Sequence, residues 1–414
     1  MLGVERPLEC MSKFSFQQYV RARRPLCVAY ESGRWLRHKM LGWAEPRTPV
    51  WYGFDRRPAN VTREPLPLNE RWYRIRRPLH VHEHIYYNLD NALNVNPNVK
   101  GFAFVFFMGI GDYLYTTPVL AALKKKYPQM SFYGYVGAQF DRNNSPLVGK
   151  LLAENPYFEK VCYFDGMRHP LIWKNYDYSA ALKDVPAGFL VIPMYYEYGT
   201  HIQHRVYSLF DTFGLAKPEQ LPTPQMYFPD PLPAQAADYL NSARHSAKGK
   251  KGIVFLQLDS RGSNYVYPHI RALAQGLIDQ GYTVMSVTKG GPTELEDYIE
   301  IDIKKLSINQ TWQLLATLRQ EFALYVIAVN SVFWAASAGL NLPNLGLQHW
   351  VDPKVHNLWY PNIEVVTNHF YPLLPREKQI LAPQQSYTPH NKKIIDYDPQ
   401  WVLRWFNEKF GDTK

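Results

Sequence analysis

The chain has 414 residues, 46% of them apolar and 15% aromatic, which is longer than one core usually spans and enough apolar material for two. Its net charge is +10, and no window of about 18 uncharged apolar residues occurs, so no membrane-spanning helix is expected. The opening MLGVERPLECMSKF carries charges where a signal peptide needs an apolar stretch, and Cys10, Cys27 and Cys162 are too few and too widely spaced for a zinc signature or a disulfide framework. Both point to a reducing, cytoplasmic setting.

Residues 1–98 form a basic, aromatic-rich extension. The first 100 residues hold 17 Lys and Arg against 9 Asp and Glu, and RARRP, RWLRHK, DRRP and RWYRIRRP interleave arginine with tryptophan and tyrosine. Arginine grips phosphate through two hydrogen bonds and aromatics stack on sugars or bases, so such a stretch suits a polyanion. A solvated wrap over the next domain is the plainer alternative. Within it His80, His82 and His84 alternate in LHVHEHIYYNL. On a strand they share one face, but such spacing seldom closes a metal site without a ligand from elsewhere, and no metal site is assigned.

The most informative stretch is FAFVFFMGIGDYLYTTPVLAALKKKYP, residues 102–128. Its near-continuous apolar start predicts a strand covered on both faces of a parallel sheet, and Gly109 and Gly111 predict the turn that ends it. Thr116 or Thr117 is expected to cap the following helix, with Pro118 in the first turn and Lys124, Lys125 and Lys126 at its negative end. That places Asp112 in a turn outside the carboxyl end of a strand, where open α/β sheets bind ligands, and too early to serve as the helix cap. An aspartate that only bonds its own loop is the competing reading.

Further apolar strands are expected at 132–136, 160–164 and 190–194, completing a first α/β domain over 99–229. A linker follows at 230–250, where prolines lead into a short helical stretch and then the polar HSAKGKK. A second α/β domain, 251–385, starts with GIVFLQL and contains YTVMSVTKGG, a helix near 311–321, the strand ALYVIAV and a helix after Asn330. The tail, 386–414, holds an amphipathic helix in WVLRWFNEKF.

The stretch MGIGDYLYTTPVLAALKKKYP resembles the amino-terminal signature of glycosyltransferase family nine, the bacterial lipopolysaccharide heptosyltransferases. Downstream, His204-Arg205-Val206 with Phe213-Gly214-Leu215, Ser260-Arg261, Tyr267-Pro268, Gly290-Gly291-Pro292, and Asn330-Ser331 through Pro343 follow the family's later blocks, so that the resemblance covers roughly residues 100 to 370. Two departures fall on the donor side. Tyr265 stands where the family has a lysine, and Asn330-Ser331-Val332-Phe333-Trp334-Ala335 stands where it has Asp-Ser-Gly-x-x-His. These lost groups put the family's own ADP-heptose donor in doubt.

The resemblance implies two Rossmann-like domains facing across a cleft, the GT-B arrangement, behind the basic amino-terminal extension. It implies an inverting, metal-independent sugar transferase that needs no cofactor beyond its nucleotide-sugar substrate. Asp112 would be the general base, and Gly111, Thr116, His201 and His204 would face the acceptor. Ser260, Arg261, Gly262, Gly290, Gly291, Asn330 and Ser331 would seat the donor diphosphate at glycine turns and helix amino ends, whose free N–H groups accept phosphate. The expected partner is an anionic glycan or lipid-linked glycan met in the cytoplasm or at the inner membrane surface. Transfer to hydroxymethylated bases in phage DNA is the first alternative, which the basic extension suits. A non-catalytic GT-B-like protein that binds glycan or nucleic acid is the second.

Overall fold

The computed structural model describes residues 61–65, 83–87, 89–106, 109–137, 145–164, 167–168, 176–177, 185–194, 204–228, 231–260, 266–348, 360–367, 379–381 and 396–411. Its amino-terminal part is a two-stranded antiparallel ladder, β1 (Val61–Pro65) with β2 (Glu83–Tyr87), followed by helix α1 (Leu89–Val95). His84 lies in β2, opposite Glu64. His80, His82, Cys10 and Cys27 lie outside the described residues, and the half-buried Cys162 is a free thiol.

A four-stranded parallel sheet comes next, in the order β5 (Phe158–Phe164), β4 (Ser131–Gly137), β3 (Gly101–Phe106), β8 (Phe189–Pro193). All six residues of β3 are buried. Phe102 and Phe104 pack on Phe132, and Phe106 packs on Phe158 and Tyr113. Strands buried on both faces read as continuous apolar runs, which is why the sequence signals them well. A short ribbon, β6 (Met167–Arg168) with β7 (Tyr176–Asp177), lies between β5 and β8 in the chain.

Helix α2 (Ile110–Lys126) starts earlier than the sequence suggests. Its cap is Gly109, and Asp112, its third residue, accepts the Gly109 N–H at 3.3 Å, so Asp112 serves the helix end after all. Thr116 and Thr117 are wholly buried inside the helix, and Pro118 sits in its middle. Proline has no N–H to give the carbonyl four residues back. Here the Thr117 hydroxyl donates to that carbonyl, Leu114 O, at 2.7 Å, and Thr116 donates likewise to Tyr113 O at 2.7 Å. The same Thr117 oxygen accepts the Gln225 N–H at 2.7 Å, so the threonines mend the proline break and tie down a crossing segment.

Helix α3 (Ser145–Glu154) covers the first sheet, and α4 (Arg205–Thr212) lies against α2. The helical stretch expected within the linker is α5 (Ala234–Ser246), whose buried Ala236, Leu240 and Ala243 pack it into the fold. A seven-stranded parallel sheet follows, in the order β11 (Tyr298–Glu300), β10 (Thr283–Ser286), β9 (Ile253–Gln257), β12 (Leu324–Val329), β13 (Asn344–Leu347), β14 (Ile363–Thr367), β15 (Gln379–Leu381). Its helices are α6 (Ile270–Asp279), α7 (Ile308–Leu318), α8 (Val332–Gly339) and the tail helix α9 (Pro399–Phe410). Leu403 of α9 occupies the space a side chain at Gly276 of α6 would need, so the glycine lets the two helices approach closely.

One apolar cluster runs from the first sheet through α7 and α8 onto the second, while a second cluster lies under α6 and α9. The expected pair of parallel α/β units is therefore present. Residues 222–228 run between them and are held by both: Gln225 by Thr117, and the Tyr227 and Pro222 carbonyls by Asn309 at 3.5 Å and Tyr360 at 3.4 Å.

Candidate active site

Strand order fixes where a ligand can sit. In the first sheet the chain steps from β3 outward to β4 and β5, then returns to β8 on the other side of β3. In the second it steps from β9 to β10 and β11, then returns to β12 on the other side of β9. A crevice opens outside the carboxyl ends of the strands wherever the order reverses in this way. Asp112 follows β3 at the first reversal. Gln257, which ends β9, and Ser331, which follows β12, stand at the second.

The two reversals meet. A Cβ at Gly111 would come to 3.6 Å from the Val332 backbone, in ordinary contact, so the amino end of α2 faces the amino end of α8. On the first side, Asp112 Oδ1 is ion-paired with Arg205 Nη1. The Arg205 side chain is 5% exposed, that of Asp112 is 34% exposed, and the guanidinium lies 5.6 Å from the centre of the Tyr115 ring. Burial pushes the Tyr115 hydroxyl well above its usual range, Arg205 pulls it down and Asp112 adds to the rise, so it stays a neutral phenol. His204, 1% exposed, caps α4 through Nδ1, which accepts the Val206 N–H at 3.2 Å. Its ring is packed edge-on between Tyr115 at 5.6 Å and Tyr360 at 4.9 Å.

On the second side, the Ser331 hydroxyl donates to Gln257 Oε1 and accepts the Phe333 N–H at 3.2 Å, joining β9 to the cap of α8. Asn330 precedes it, partly exposed. Beside β9, the Thr288 hydroxyl accepts the Leu258 N–H at 2.7 Å and donates to Asp259 Oδ1 at 3.3 Å. The protein around Asp259 raises its pKa through burial, against the opposing Thr288 bond. Gly290 is exposed with φ +89 and open space around it, which suits a backbone turn approached by a ligand. Gly291 is buried under Tyr298, which makes it a packing position.

Of the residues expected at the site, Asp112, Gly111, Asn330 and Ser331 come together. Ser260 lies after β9 and Gly290 after β10, at the same end of the second sheet. Thr116 and His204 are buried as packing and capping groups, and neither presents its polar atoms to the crevice surface. Arg261, Gly262 and His201 lie outside the described residues. Sequence reasoning missed three groups: Arg205, Gln257 and Thr288. Only Gln257 carried a usable signal, as a lone polar side chain, 5% exposed, at the end of an apolar strand.

A cavity of about 770 Å³ lies elsewhere, between residues 223–228 and the carboxyl ends of α7 and α8. Asp112 does not line it, and its one cation, Arg319, is held by the Leu340 carbonyl. Among the described residues no three His, Cys, Asp or Glu side chains gather as metal ligands would, and no helix is long and apolar enough to cross a membrane.

No protein family and no curated protein sequence matches the chain. Among solved structures it is similar to an E. coli ADP-heptose lipopolysaccharide heptosyltransferase II, with 14% identity over 74% of this chain and 98% of that one and a TM-score of 0.45. It is also similar to a family 9 glycosyltransferase from Veillonella parvula DSM 2008, with 12% identity, 65% and 86% coverage and a TM-score of 0.44. E. coli heptosyltransferase WaaC with ADP-2-deoxy-2-fluoro heptose gives 18% identity, 74% and 99% coverage and a TM-score of 0.41.

Proposed function

We propose that the protein is an inverting glycosyltransferase that moves a sugar from a nucleotide-sugar donor to an acceptor hydroxyl, using Asp112 as general base. The observation that carries this reading is the meeting of two topological reversals, with a half-exposed carboxylate on one side and a capped helix amino end on the other. The amino end of α8 and the turns after β9 and β10 offer N–H groups and positive dipole to a diphosphate without calling on a metal. Asp112 has one oxygen engaged by Arg205, while the other, holding the Gly109 N–H, keeps a lone pair for an incoming hydroxyl. The carboxylate takes that proton as the acceptor oxygen bonds to the anomeric carbon. The bond from that carbon to the diphosphate breaks on the opposite side, and its electrons leave with the nucleotide.

The acceptor we favour is an anionic glycan or lipid-linked glycan, in keeping with the sequence resemblance and the basic amino-terminal region. A thermal-shift screen of ADP-, UDP- and GDP-sugars tests the donor side, because a ligand at 100 times its Kd stabilises the folded state by about 2.7 kcal/mol. At least one sugar nucleotide should raise the melting temperature more than its free nucleoside does. A flat response across the set would contradict the proposal.

A further inference from the structure

Arg205 is a costly residue in its place. It is the first residue of α4, where the positive end of the helix dipole disfavours a cation, and its side chain is almost wholly buried. Burying a guanidinium is repaid only by good geometry and good partners, and apolar replacements of buried ion pairs often cost nothing. Its guanidinium lies against the Tyr115 ring, a surface that an unbranched apolar chain could also cover.

Asp112, for its part, has a cap bond and a favourable place in the first turn of α2 without the arginine. What the ion pair adds is orientation. One bond on each oxygen fixes the plane of the carboxylate, and the arginine reaches it across 93 positions of sequence. The fixing is itself anchored from the second sheet's side, since Tyr360 packs on His204, the residue before Arg205.

We propose that Arg205 is a positioning residue: it holds the Asp112 carboxylate in the one orientation from which Oδ2 can take a proton. The proposal rests on the reading of Asp112 as base. Misplacing a reacting group by about 1 Å can cost a hundredfold in rate.

The test is release of nucleoside diphosphate from the sugar nucleotides of the screen, with water as the acceptor, by the wild type, Arg205→Lys, Arg205→Met, Asp112→Asn and the double variants. Arg205→Met should lower kcat by about tenfold to a hundredfold while leaving the donor KM within about twofold, and Arg205→Lys should recover part of the loss. In the Asp112→Asn background either change at 205 should cost nothing more, because residues acting as a unit are non-additive. Wild-type kcat in Arg205→Met overturns the proposal, as does an equal loss in both backgrounds, which marks a purely structural role. If the methionine variant does not fold, the lysine variant and its double carry the same comparison. Wild-type turnover in Asp112→Asn, or no turnover of any donor by the wild type, overturns the base assignment and the positioning role with it.

Discussion

Ser331 shows how one hydroxyl ties the second sheet to its helix. It caps α8 and binds Gln257 at the end of β9. Loss of a capping serine typically costs about 1 kcal/mol, so Ser331→Ala should lower stability by that amount in denaturant titrations and weaken sugar-nucleotide binding in calorimetry. Unchanged donor affinity would place the diphosphate elsewhere. Arg261→Ala should also weaken the donor, since a charged hydrogen bond contributes about 1.5–3 kcal/mol. The place of Asp112 beyond the end of β3 was legible in the sequence, because Gly109 and Gly111 break the apolar run just before it, whereas its bond to the Gly109 N–H was not. Arg205 stood out only as part of a block resembling the family, and its pairing with Asp112 was not legible, because the partner lies 93 residues away and nothing near it in the chain signals it.

Helix α2 carries the clearest lesson about elements. Proline at 118 reads as a first-turn residue, because proline is cheapest there. The helix nevertheless runs eight residues further back, to Ile110, since the Thr117 hydroxyl supplies the hydrogen bond that Pro118 cannot give. Local propensity was overridden by a side chain whose role becomes visible only once the helix is built. Thr117→Val keeps the shape but leaves the Leu114 carbonyl and the Gln225 N–H without this partner. It should destabilise by about 1–3 kcal/mol for each buried group left unpaired. A denaturation midpoint within error of the wild type would contradict this account of the helix. The strands were easier, because burial on both faces writes itself as an unbroken apolar run in FAFVF, FLVI and IVFL.

At the scale of the molecule, Glu154 makes a polar contact between the two α/β units. At the end of α3 it accepts a hydrogen bond from Asn309 in the first turn of α7. Burial raises its pKa, with Lys150 and the Asn309 bond opposing the rise. A carboxyl whose folded pKa is raised contributes stability below its unfolded pKa and loses it as pH climbs through the folded one. The wild type should therefore lose a little stability as pH rises out of the ordinary carboxyl range, and Glu154→Gln should flatten that slope. An unchanged slope would remove Glu154 from the account. This contact, like the meeting of Gly111 with Val332, could not be read from sequence. Composition and punctuation gave two α/β units and not how they face one another.

The basic amino-terminal region offers a separate choice of acceptor. Phosphate contacts by Arg71, Arg74, Arg76 and Arg77 would make hydroxymethylated duplex binding fall with salt, with a log–log slope near about −0.9 for each contact. A lipid-linked glycan acceptor predicts salt-sensitive binding to anionic vesicles and none to duplex.

The most direct test of the central claim measures sugar-nucleotide binding and nucleoside diphosphate release side by side in the wild type and Asp112→Asn. In the proposed reading the base follows a strand of one sheet and the donor seat lies at the other. Asp112→Asn should therefore bind the donor with nearly wild-type affinity and release nucleoside diphosphate about 10²–10⁴ times more slowly. Release at the wild-type rate by the asparagine variant would contradict the account.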